Sequence, residues 1–332
     1  MFEEALHQPE VLHQLSWKAG DKFNVKRIVA GNLGTTIAMV GPTDHDSKDV
    51  YVRFPSVDSA RALCRTNSRA LKKLATTSLA AVVPRIMYEG SWKKQDFTIE
   101  SRCPGQQVFY STRDLDRMVR ESCSTLLALQ KQTTKPTVLV DADFDKQVAP
   151  LIQDIASYCN ADVRDRLDKF ARALRSALIG CEVSLGYTHG DFKIGNILVD
   201  RGGNLSALID WDGFTESGFQ IFDYLTLLTY KLSAEKSRKF PSVYLEYLLP
   251  WKLPPSYASL VEEPVSALAG NKNSFLFMRI VFWFSLISNR FDPVYKYHAD
   301  WQSEFLLAVL PSFESLCESG WKFSTSTQPE IQ

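Results

Sequence analysis

The stretch YTHGDFKIGNILVD, residues 187–200, places three functional side chains between two runs of aliphatic residues. Asp191 and Asn196 could each make the hydrogen bonds of an ordinary turn, and Lys193 lies between them. Together the three supply a carboxylate that can take a proton from a hydroxyl, an ammonium that can reach the γ-phosphate of a nucleotide and an amide oxygen for a metal ion. This combination is what phosphoryl transfer to a hydroxyl requires.

A second acidic segment follows immediately in the chain. A Gly-Gly hairpin at 202–203 leads into LSALIDWDG, in which Asp210 ends a predicted strand. Asp191 and Asp210 are therefore predicted to stand at adjacent strand ends and to face one cleft. We predict that Asp191 is the general base and that Asn196 and Asp210 bind Mg²⁺.

The segments before this site predict a small antiparallel sheet. Strand-like runs between Phe23 and Phe54, separated by AGNLGTT and PTDHDSK, indicate a β-meander. A helical period covers 56–76, and VVPRIMYEG and DFTIESRCPG are typical of two further strands. The breaker CPG at 103–105 marks the predicted lobe boundary.

Long amphipathic segments then predict a mainly helical region with one strand-rich interlude over about 185–209. The most apolar stretch, 274–291, is interrupted by Arg279, which favours a buried helix over a membrane span. The predicted helices span 112–133, 145–158, 161–179, 220–232, 255–269, 272–290 and 299–318. The predicted divisions are an N-terminal helical segment (1–21), a nucleotide-binding N-lobe (22–105) and a catalytic and substrate-binding C-lobe (106–332).

Composition limits the class of partner and the compartment. The 332 residues carry zero formal net charge, so neither nucleic acid nor a membrane surface is predicted to bind, and a small molecule is favoured. The six cysteines show neither close pairs nor metal-ligand spacing, which is typical of free thiols in a reducing compartment. The acidic N-terminus has no apolar leader, and a cytoplasmic location is predicted.

The motifs HGDFKIGN and LIDWDG resemble the catalytic loop and the metal-binding motif of the aminoglycoside phosphotransferase and choline kinase-like family. VAGNLGTTIAMV is similar to that family's phosphate-covering loop, and FTIESRCPG to its adenine-binding hinge. The resemblance implies an α+β, bilobal protein-kinase-like fold with a small antiparallel β-sheet N-lobe and a larger, mainly helical C-lobe. It also implies a kinase that uses ATP and Mg²⁺ to phosphorylate a hydroxyl group of a small molecule.

The resemblance also assigns roles to further residues. His189 holds the catalytic loop by hydrogen bonds instead of moving protons, and Asp223, in GFQIFDYLTLL, braces that loop. Asp212 either assists the metal or caps the following turn. Cofactor contacts are implied at Gly31, Gly34, Thr35, Thr36, Arg53, Glu100 and Arg102.

Two features depart from the family pattern. The third strand, VYVRF, presents Arg53 where the family has a lysine on the α- and β-phosphates. The following helix offers no evident glutamate partner, and Asn67 and Ser68 lie near the expected place. Arginine keeps a permanent charge and its fork can bind phosphate, but with a different geometry.

Three interpretations of function follow. Only WDGFTESGFQIF separates Asp210 from Asp223, which is too short for the activation segment of a protein kinase and favours a small acceptor. HGD in place of HND favours a sugar- or aminoglycoside-like acceptor over choline or ethanolamine. A catalytically weak or silent kinase-like scaffold is the alternative that Arg53 and the missing glutamate leave open.

Aromatic residues are candidates for stacking on the acceptor: Trp211, Tyr224, Trp283, Tyr295, Tyr297 and Trp301.

Overall fold

The computed structural model describes residues 2–18, 22–30, 34–43, 48–290, 296 and 298–322. The chain divides into two compact units. The first unit comprises Met1–Gln132 and Thr188–Glu216, and the second comprises Thr133–Tyr187 and Ser217–Gln332. The segments that carry Asp191 and Asp210 therefore belong to the same unit as the N-terminal sheet.

A five-stranded antiparallel sheet forms the centre of the first unit, in the order β1-β2-β3-β5-β4. Its strands are β1 (Phe23–Ala30), β2 (Thr35–Pro42), β3 (Val50–Pro55), β4 (Ile86–Trp92) and β5 (Gln95–Ser101). The central strand β3 is buried at five of its six positions, whereas the edge strand β4 has only half-buried and exposed residues. The predicted meander and the two further strands are confirmed.

Three helices accompany this sheet: α1 (Phe2–Leu6), α2 (Pro9–Leu15) and α3 (Asp58–Leu74). Residues of α1 and α2 join the hydrophobic core of the sheet. In that core the ring of Phe54 stacks on Phe97 at 5.2 Å, and the ring of Trp17 stacks on Phe23 at 4.5 Å. Burial of aromatic rings of this size is a main source of stability for so small a sheet.

The rest of the first unit contains α4 (Leu115–Thr133) and a second small sheet. That sheet has the order β10-β9-β6 and consists of β6 (Gln106–Gln107), β9 (Ile197–Val199) and β10 (Leu205–Leu208). Val199 pairs with Leu205 on one side and with Gln106 on the other. The segment after β5 is thereby hydrogen-bonded to the strand that follows the catalytic loop.

The second unit is mainly helical, as predicted. Its helices are α5 (Asp141–Gln147), α6 (Ala149–Ser157), α7 (Ala161–Leu178), α8 (Ile221–Lys236), α9 (Phe240–Val243), α10 (Pro255–Leu268), α11 (Lys272–Arg290), α12 (Ala299–Trp301) and α13 (Leu310–Glu318). Phe170 and Phe313 stack at 5.3 Å, and Phe284 packs on both rings. The apolar stretch around Arg279 is a buried helix of this core, which confirms that prediction.

Several boundaries differ from the predicted ones. The prediction that strands interrupt the helices only over 185–209 is wrong. Two strands outside that range, β7 (Lys135–Val138) and β11 (Thr215–Phe219), flank β8 (Glu182–Thr188) in a third sheet. β7 has only four residues and contains a proline, so it gives almost no periodic signal. Two π-helical segments, Tyr244–Leu248 and Gln302–Leu307, also have no signature in the apolar periodicity.

Within the described ranges, no helix is both long enough and apolar enough to cross a membrane.

Candidate active site

The hairpin of β9 and β10 brings Asn196 beside the acidic segment. Ile197 pairs with Leu208 across the hairpin, and the N–H of Ile209 donates to the carbonyl oxygen of Asn196 at 3.0 Å. Residues just before β9 and just after β10 are therefore neighbours. Asn196 and Asp210, which are 14 positions apart in sequence, flank the open end of one hairpin.

His189 fastens the catalytic loop to this hairpin. Its side chain is fully buried, its Nε2 lies 3.0 Å from the carbonyl oxygen of Ile209, and its ring packs 4.3 Å from that of Trp211. A carbonyl only accepts, so Nε2 carries the proton and Nδ1 accepts the N–H of Asp191 at 3.4 Å. Burial lowers the pKa of His189, which keeps the imidazole neutral.

Asp191, Lys193 and Asn196 contact one another in the loop. The ammonium of Lys193 donates to the carboxylate of Asp191, whose side chain is 31% exposed. The amide nitrogen of Asn196 donates to the backbone oxygen of Asp191 at 2.9 Å and to its Oδ2 at 3.4 Å. Both bonds use the nitrogen, so the amide oxygen is the atom that Asn196 can offer to a metal ion.

Two glycines bring the catalytic loop and the DWDG segment into backbone contact. Gly190 has φ of +82°, and a Cβ added there would lie 2.0 Å from the carbonyl oxygen of Gly213. Asp210 also adopts the left-handed region, with φ of 68°. Non-glycine residues in this region are uncommon and concentrate at functional sites, where the surrounding structure holds them.

Arg53 on β3 receives its carboxylate partner from a neighbouring strand. Arg53 pairs with Thr98 in the ladder, so Glu100, two residues further along β5, lies diagonally on the same face. The Nε of Arg53 lies 2.8 Å from Oε1 of Glu100, and both residues are buried. Glu100 is thus the glutamate that pairs with Arg53, and it comes from β5 because α3 supplies no glutamate at this place.

The other end of the Arg53 guanidinium contacts the DWDG segment. Its NH1 donates to the two carboxylate oxygens of Asp212 at 3.2 and 3.3 Å, and its NH2 lies 3.5 Å from Oδ1 of Asp210. The Arg53 cluster, which we define as Arg53, Glu100, Asp210 and Asp212, therefore opposes three carboxylates to one guanidinium. The side chains of Asp210 and Asp212 keep 33% and 27% of their surface exposed, which leaves them open to a further cation.

Burial and mutual repulsion set the protonation of this cluster. Burial raises the pKa of Glu100, and Arg53 opposes that rise. Burial likewise raises the pKa of Asp212 to about 7, with Arg53 opposing and Asp210 and Glu100 adding to the rise. Burial alone would lower the pKa of Arg53, but the three carboxylates raise it overall, so the guanidinium stays charged.

The oxygen atoms around the cluster fit a hard divalent cation. Asp210 and Asp212 supply carboxylate oxygens, and Asn196 supplies an amide oxygen. Mg²⁺ is commonly bound by one or two carboxylates together with water and substrate phosphates. In the part of the chain that the structure describes, no group of three or more His, Cys, Asp and Glu side chains is arranged to hold a metal ion. The two aspartates and the asparagine offer oxygen atoms of the kind that Mg²⁺ takes together with phosphate and water.

The predicted phosphate-loop residues are placed as follows. Gly31 lies outside the described residues. Gly34 has φ of +85°, and its carbonyl oxygen accepts the N–H and the hydroxyl of Ser56 at 2.8 and 2.5 Å. The Thr35 side chain is buried, with its hydroxyl 4.0 Å from the Cys64 sulfur, and Thr36 is half-buried opposite Phe54. The Thr35 hydroxyl is thus directed into the fold.

The two predicted hinge residues have separate partners. Glu100 belongs to the Arg53 cluster. Arg102 donates from NH1 to Oδ2 of Asp49 at 3.0 Å, and the other oxygen of Asp49 lies 2.9 Å from the ammonium of Lys26. Asp49 thus links the segment after β5 to β1, and the side chain of Arg102 is tied into the sheet.

Asn67 makes contacts that the sequence did not reveal. It lies on α3 and is only 1% exposed, and its side chain hydrogen-bonds Glu100 and the backbone of Trp211. The sequence places Asn67 near the expected glutamate position but indicates no role for it. Ser68, the other residue at that place, donates to Glu89 instead.

The predicted stacking platforms are wrong for four aromatic residues. Trp211, Tyr224, Trp283 and Trp301 are fully buried and cannot lie against a ligand. Trp283, for example, stacks on Tyr244 at 4.5 Å. Tyr295 and Tyr297 lie outside the described residues. Asp223, the predicted brace, is buried near the start of α8 in the second unit.

Comparison with families of known proteins identifies the family of this chain. A model of the phosphotransferase enzyme family matches residues 25–260. The chain belongs to that family. The matched span of the phosphotransferase contains Arg53, the catalytic loop and the DWDG segment. Comparison with the curated proteins gave no match.

Solved structures similar to the phosphotransferase are aminoglycoside phosphotransferases. The aminoglycoside-3′-phosphotransferase of type VIII is 17% identical with a TM-score of 0.50, covering 84% of this chain and 99% of that one. The ternary complex of streptomycin, ATP and APH(2″)-IIa is 14% identical with a TM-score of 0.52, covering 93% and 96%. The gentamicin complex of APH(2″)-IIa is 13% identical with a TM-score of 0.51, covering 96% and 95%. These likenesses establish the predicted fold class, and the match to the family model confirms the predicted family.

Proposed function

We propose that this phosphotransferase is a small-molecule kinase that transfers the γ-phosphate of ATP to a hydroxyl group of a sugar- or aminoglycoside-like acceptor. The observation that carries the proposal is the Arg53 cluster, in which three carboxylates oppose one guanidinium. An excess of acid that is partly buried is costly unless a proton or a cation joins it. Mg²⁺ bound with a nucleotide is the cation that this oxygen-rich site suits.

The catalytic loop supplies the groups for an in-line transfer. Asp191 accepts the proton of the acceptor hydroxyl as the new oxygen–phosphorus bond forms and the bond between the γ-phosphorus and the β-bridging oxygen breaks. Asn196 holds the backbone of Asp191 in place, and His189 fixes the loop from behind. Lys193 contacts Asp191 in the structure and would exchange that contact for a γ-phosphate oxygen.

The metal and the phosphates have separate proposed ligands. Mg²⁺, when bound, would neutralise charge on the β- and γ-phosphates. Asp210 and Asn196 would hold it, with Asp212 as a further oxygen donor. The terminal nitrogens of Arg53 would exchange Asp212 and Asp210 for the α- and β-phosphates, while its Nε stays beside Glu100.

The glycine-rich loop and the hinge complete the proposed nucleotide site. We propose that backbone groups of Gly31, Gly34, Thr35 and Thr36 cover the phosphates and that the segment of Glu100 and Arg102 carries the adenine. Solved relatives named as ATP, streptomycin and gentamicin complexes support a nucleotide and an aminoglycoside-like acceptor. The six free cysteines support a cytoplasmic location.

The test is phosphate transfer from γ-labelled ATP to a panel of sugars, aminoglycosides, amino alcohols and nucleosides. At least one hydroxyl compound should become labelled, and Asp191→Asn should lower the rate about 10²- to 10⁴-fold. Asp165→Asn, which changes an exposed acid in the second unit, is the matched control and should transfer at the wild-type rate. Undiminished transfer by Asp191→Asn would refute the assignment of the base.

A further inference from the structure

One buried amide joins three elements around the proposed nucleotide site. The Nδ2 of Asn67 on α3 donates to Oε1 of Glu100 on β5 at 2.6 Å. Its Oδ1 accepts the backbone N–H of Trp211, in the segment after β10, at 3.2 Å. The side chain of Asn67 thus satisfies a carboxylate with its donor and a backbone amide with its acceptor.

Both contacts bear directly on Arg53. The Glu100 oxygen that Asn67 holds is the same oxygen that lies 2.8 Å from Nε of Arg53. Trp211 stands between Asp210 and Asp212, whose carboxylates contact the other end of the guanidinium. Asn67 therefore restrains the acids on both sides of Arg53.

The chemistry of position 67 explains why an amide stands there. A glutamate or aspartate on α3 would add a fourth acid to the three around Arg53, and it could contact the carboxylate of Glu100 only by sharing a proton with it. An apolar side chain would leave the Trp211 N–H and the Glu100 oxygen without this partner, at the cost that buried polar groups incur. Asparagine fills both needs and adds no charge.

We propose that Asn67 is a positioning residue of the nucleotide site. Asn67 holds Glu100 against Arg53 and holds the segment that carries Asp210 and Asp212. It thereby fixes the distance between the terminal nitrogens of Arg53 and the metal-binding oxygens of the two aspartates. This proposal rests on the proposed function. In it, Asn67 on α3 holds Glu100 of β5 in the position beside Arg53 that a glutamate on the helix would otherwise occupy.

The hydrogen bond between Asn67 and Glu100 can be tested by exchanging the amide and the carboxylate between the two positions. Asn67→Asp keeps the size of the side chain and the acceptor for Trp211, but it sets two carboxylates against each other at 67 and 100. Removing a buried hydrogen bond to a charged group should weaken Mg·ATP binding, measured by calorimetry, about 10- to 100-fold.

The double variant Asn67→Asp with Glu100→Gln restores the link with the roles reversed. The new amide at 100 can donate to the new carboxylate at 67 and keep its oxygen beside Nε of Arg53, and the net charge returns to that of the wild type. Affinity for Mg·ATP should recover to within about tenfold of the wild type, and Glu100→Gln alone completes the cycle. A merely structural Asn67 would leave the affinity of the folded Asn67→Asp variant unchanged.

A readout without nucleotide separates this proposal from the proposed function. Hydrogen–deuterium exchange of the Trp211 amide should accelerate in Asn67→Ser, which is too short for both contacts, while amides of the β1–β2 ladder keep the wild-type rate. Absence of Mg·ATP binding by the wild type would defeat the proposed function, whereas unchanged Trp211 exchange in Asn67→Ser would defeat the positioning role. If Asn67→Asp does not fold, the Mg·ATP affinity of the double variant and the Trp211 exchange rate in Asn67→Ser test the proposal. A double variant that binds Mg·ATP no more tightly than Glu100→Gln alone overturns it.

Discussion

Gly190 of the catalytic loop and Gly213 of the DWDG segment are in backbone contact, with no room for a side chain between them. A Cβ on Gly190 would lie 2.0 Å from the carbonyl oxygen of Gly213, and a Cβ on Gly213 would lie 3.0 Å from the carbonyl carbon of Gly190. The loop that carries the proposed base is therefore positioned against the segment that carries the proposed metal ligands by main-chain packing.

Gly190→Ala is expected to destabilise the protein for two reasons. Its φ of +82° costs an alanine roughly 1–2 kcal/mol, and the overlap with Gly213 adds to that cost. Gly180→Ala is the matched control, because Gly180 has φ of +85° but nothing within 4 Å of its added Cβ. Denaturant unfolding should show a clearly larger loss for Gly190→Ala, and equal losses would mean that the backbone contact is not constraining.

Lys193→Met is expected to act on turnover more than on nucleotide affinity. Lys193 contacts Asp191 in the structure, and we place its ammonium on the γ-phosphate only as transfer proceeds. Removing one donor to a developing anionic charge typically lowers kcat about 10²- to 10³-fold. Steady-state kinetics with the acceptor from the labelling screen would measure this. A rise in KM for ATP with unchanged kcat would instead place Lys193 in ground-state binding.

Arg53→Met is expected to lower stability, whereas Arg53→Lys is expected to weaken ATP binding. Methionine removes the only guanidinium of the Arg53 cluster and leaves three carboxylates facing one another, which should lower the free energy of unfolding by about 3–5 kcal/mol. Lysine keeps the charge but cannot span Glu100 and both aspartates, so it should fold with weaker ATP binding. Chemical denaturation and calorimetry separate the two effects. Arg53→Met with wild-type stability would show that the cluster has no need of its cation.

In the second unit, Arg279→Met should be destabilising without touching the proposed site. The buried guanidinium donates to the carbonyl oxygens of Leu249, Leu248 and Phe275 at 2.7, 3.2 and 3.2 Å, and burial lowers its pKa to about 10. The carbonyl oxygen of Leu248 keeps the N–H of Trp251 as a donor, but that of Leu249 loses the guanidinium, at a cost of about 1–3 kcal/mol. Thermal unfolding measures the loss. An unchanged midpoint would mean that relaxation or water replaces the arginine.

Local patterns predicted most of the fold, and they singled out Asp191, Asn196 and Asp210, whose roles stay predictions. The apolar alternation of β1 to β5 and the 3.6-residue period of α3, α7 and α11 are set by burial of one face or of the whole element, so they are visible in sequence. β7 is too short for periodicity, and the break between α5 and α6 falls within one amphipathic run that Pro150 restarts.

Contacts between distant segments could not be predicted in this way. The pairing of Arg53 with Glu100 depends on the register of β3 with β5, and the bond from Asn67 to Trp211 depends on where α3 packs. The four buried aromatic residues could not be separated from residues that line a pocket, because a large ring has the same sequence appearance in a core as in a ligand pocket. Neither register nor burial of a single ring is encoded in spacing alone.

The most direct test of the central claim is calorimetric titration of ATP into the wild type and Asp210→Asn, each with Mg²⁺ and with EDTA. The account predicts binding by the wild type that requires Mg²⁺, and a large loss of that binding in Asp210→Asn, because the Arg53 cluster then loses a metal-binding carboxylate. Equal affinity for ATP in Mg²⁺ and in EDTA, or full Mg²⁺-dependent binding by Asp210→Asn, would contradict it.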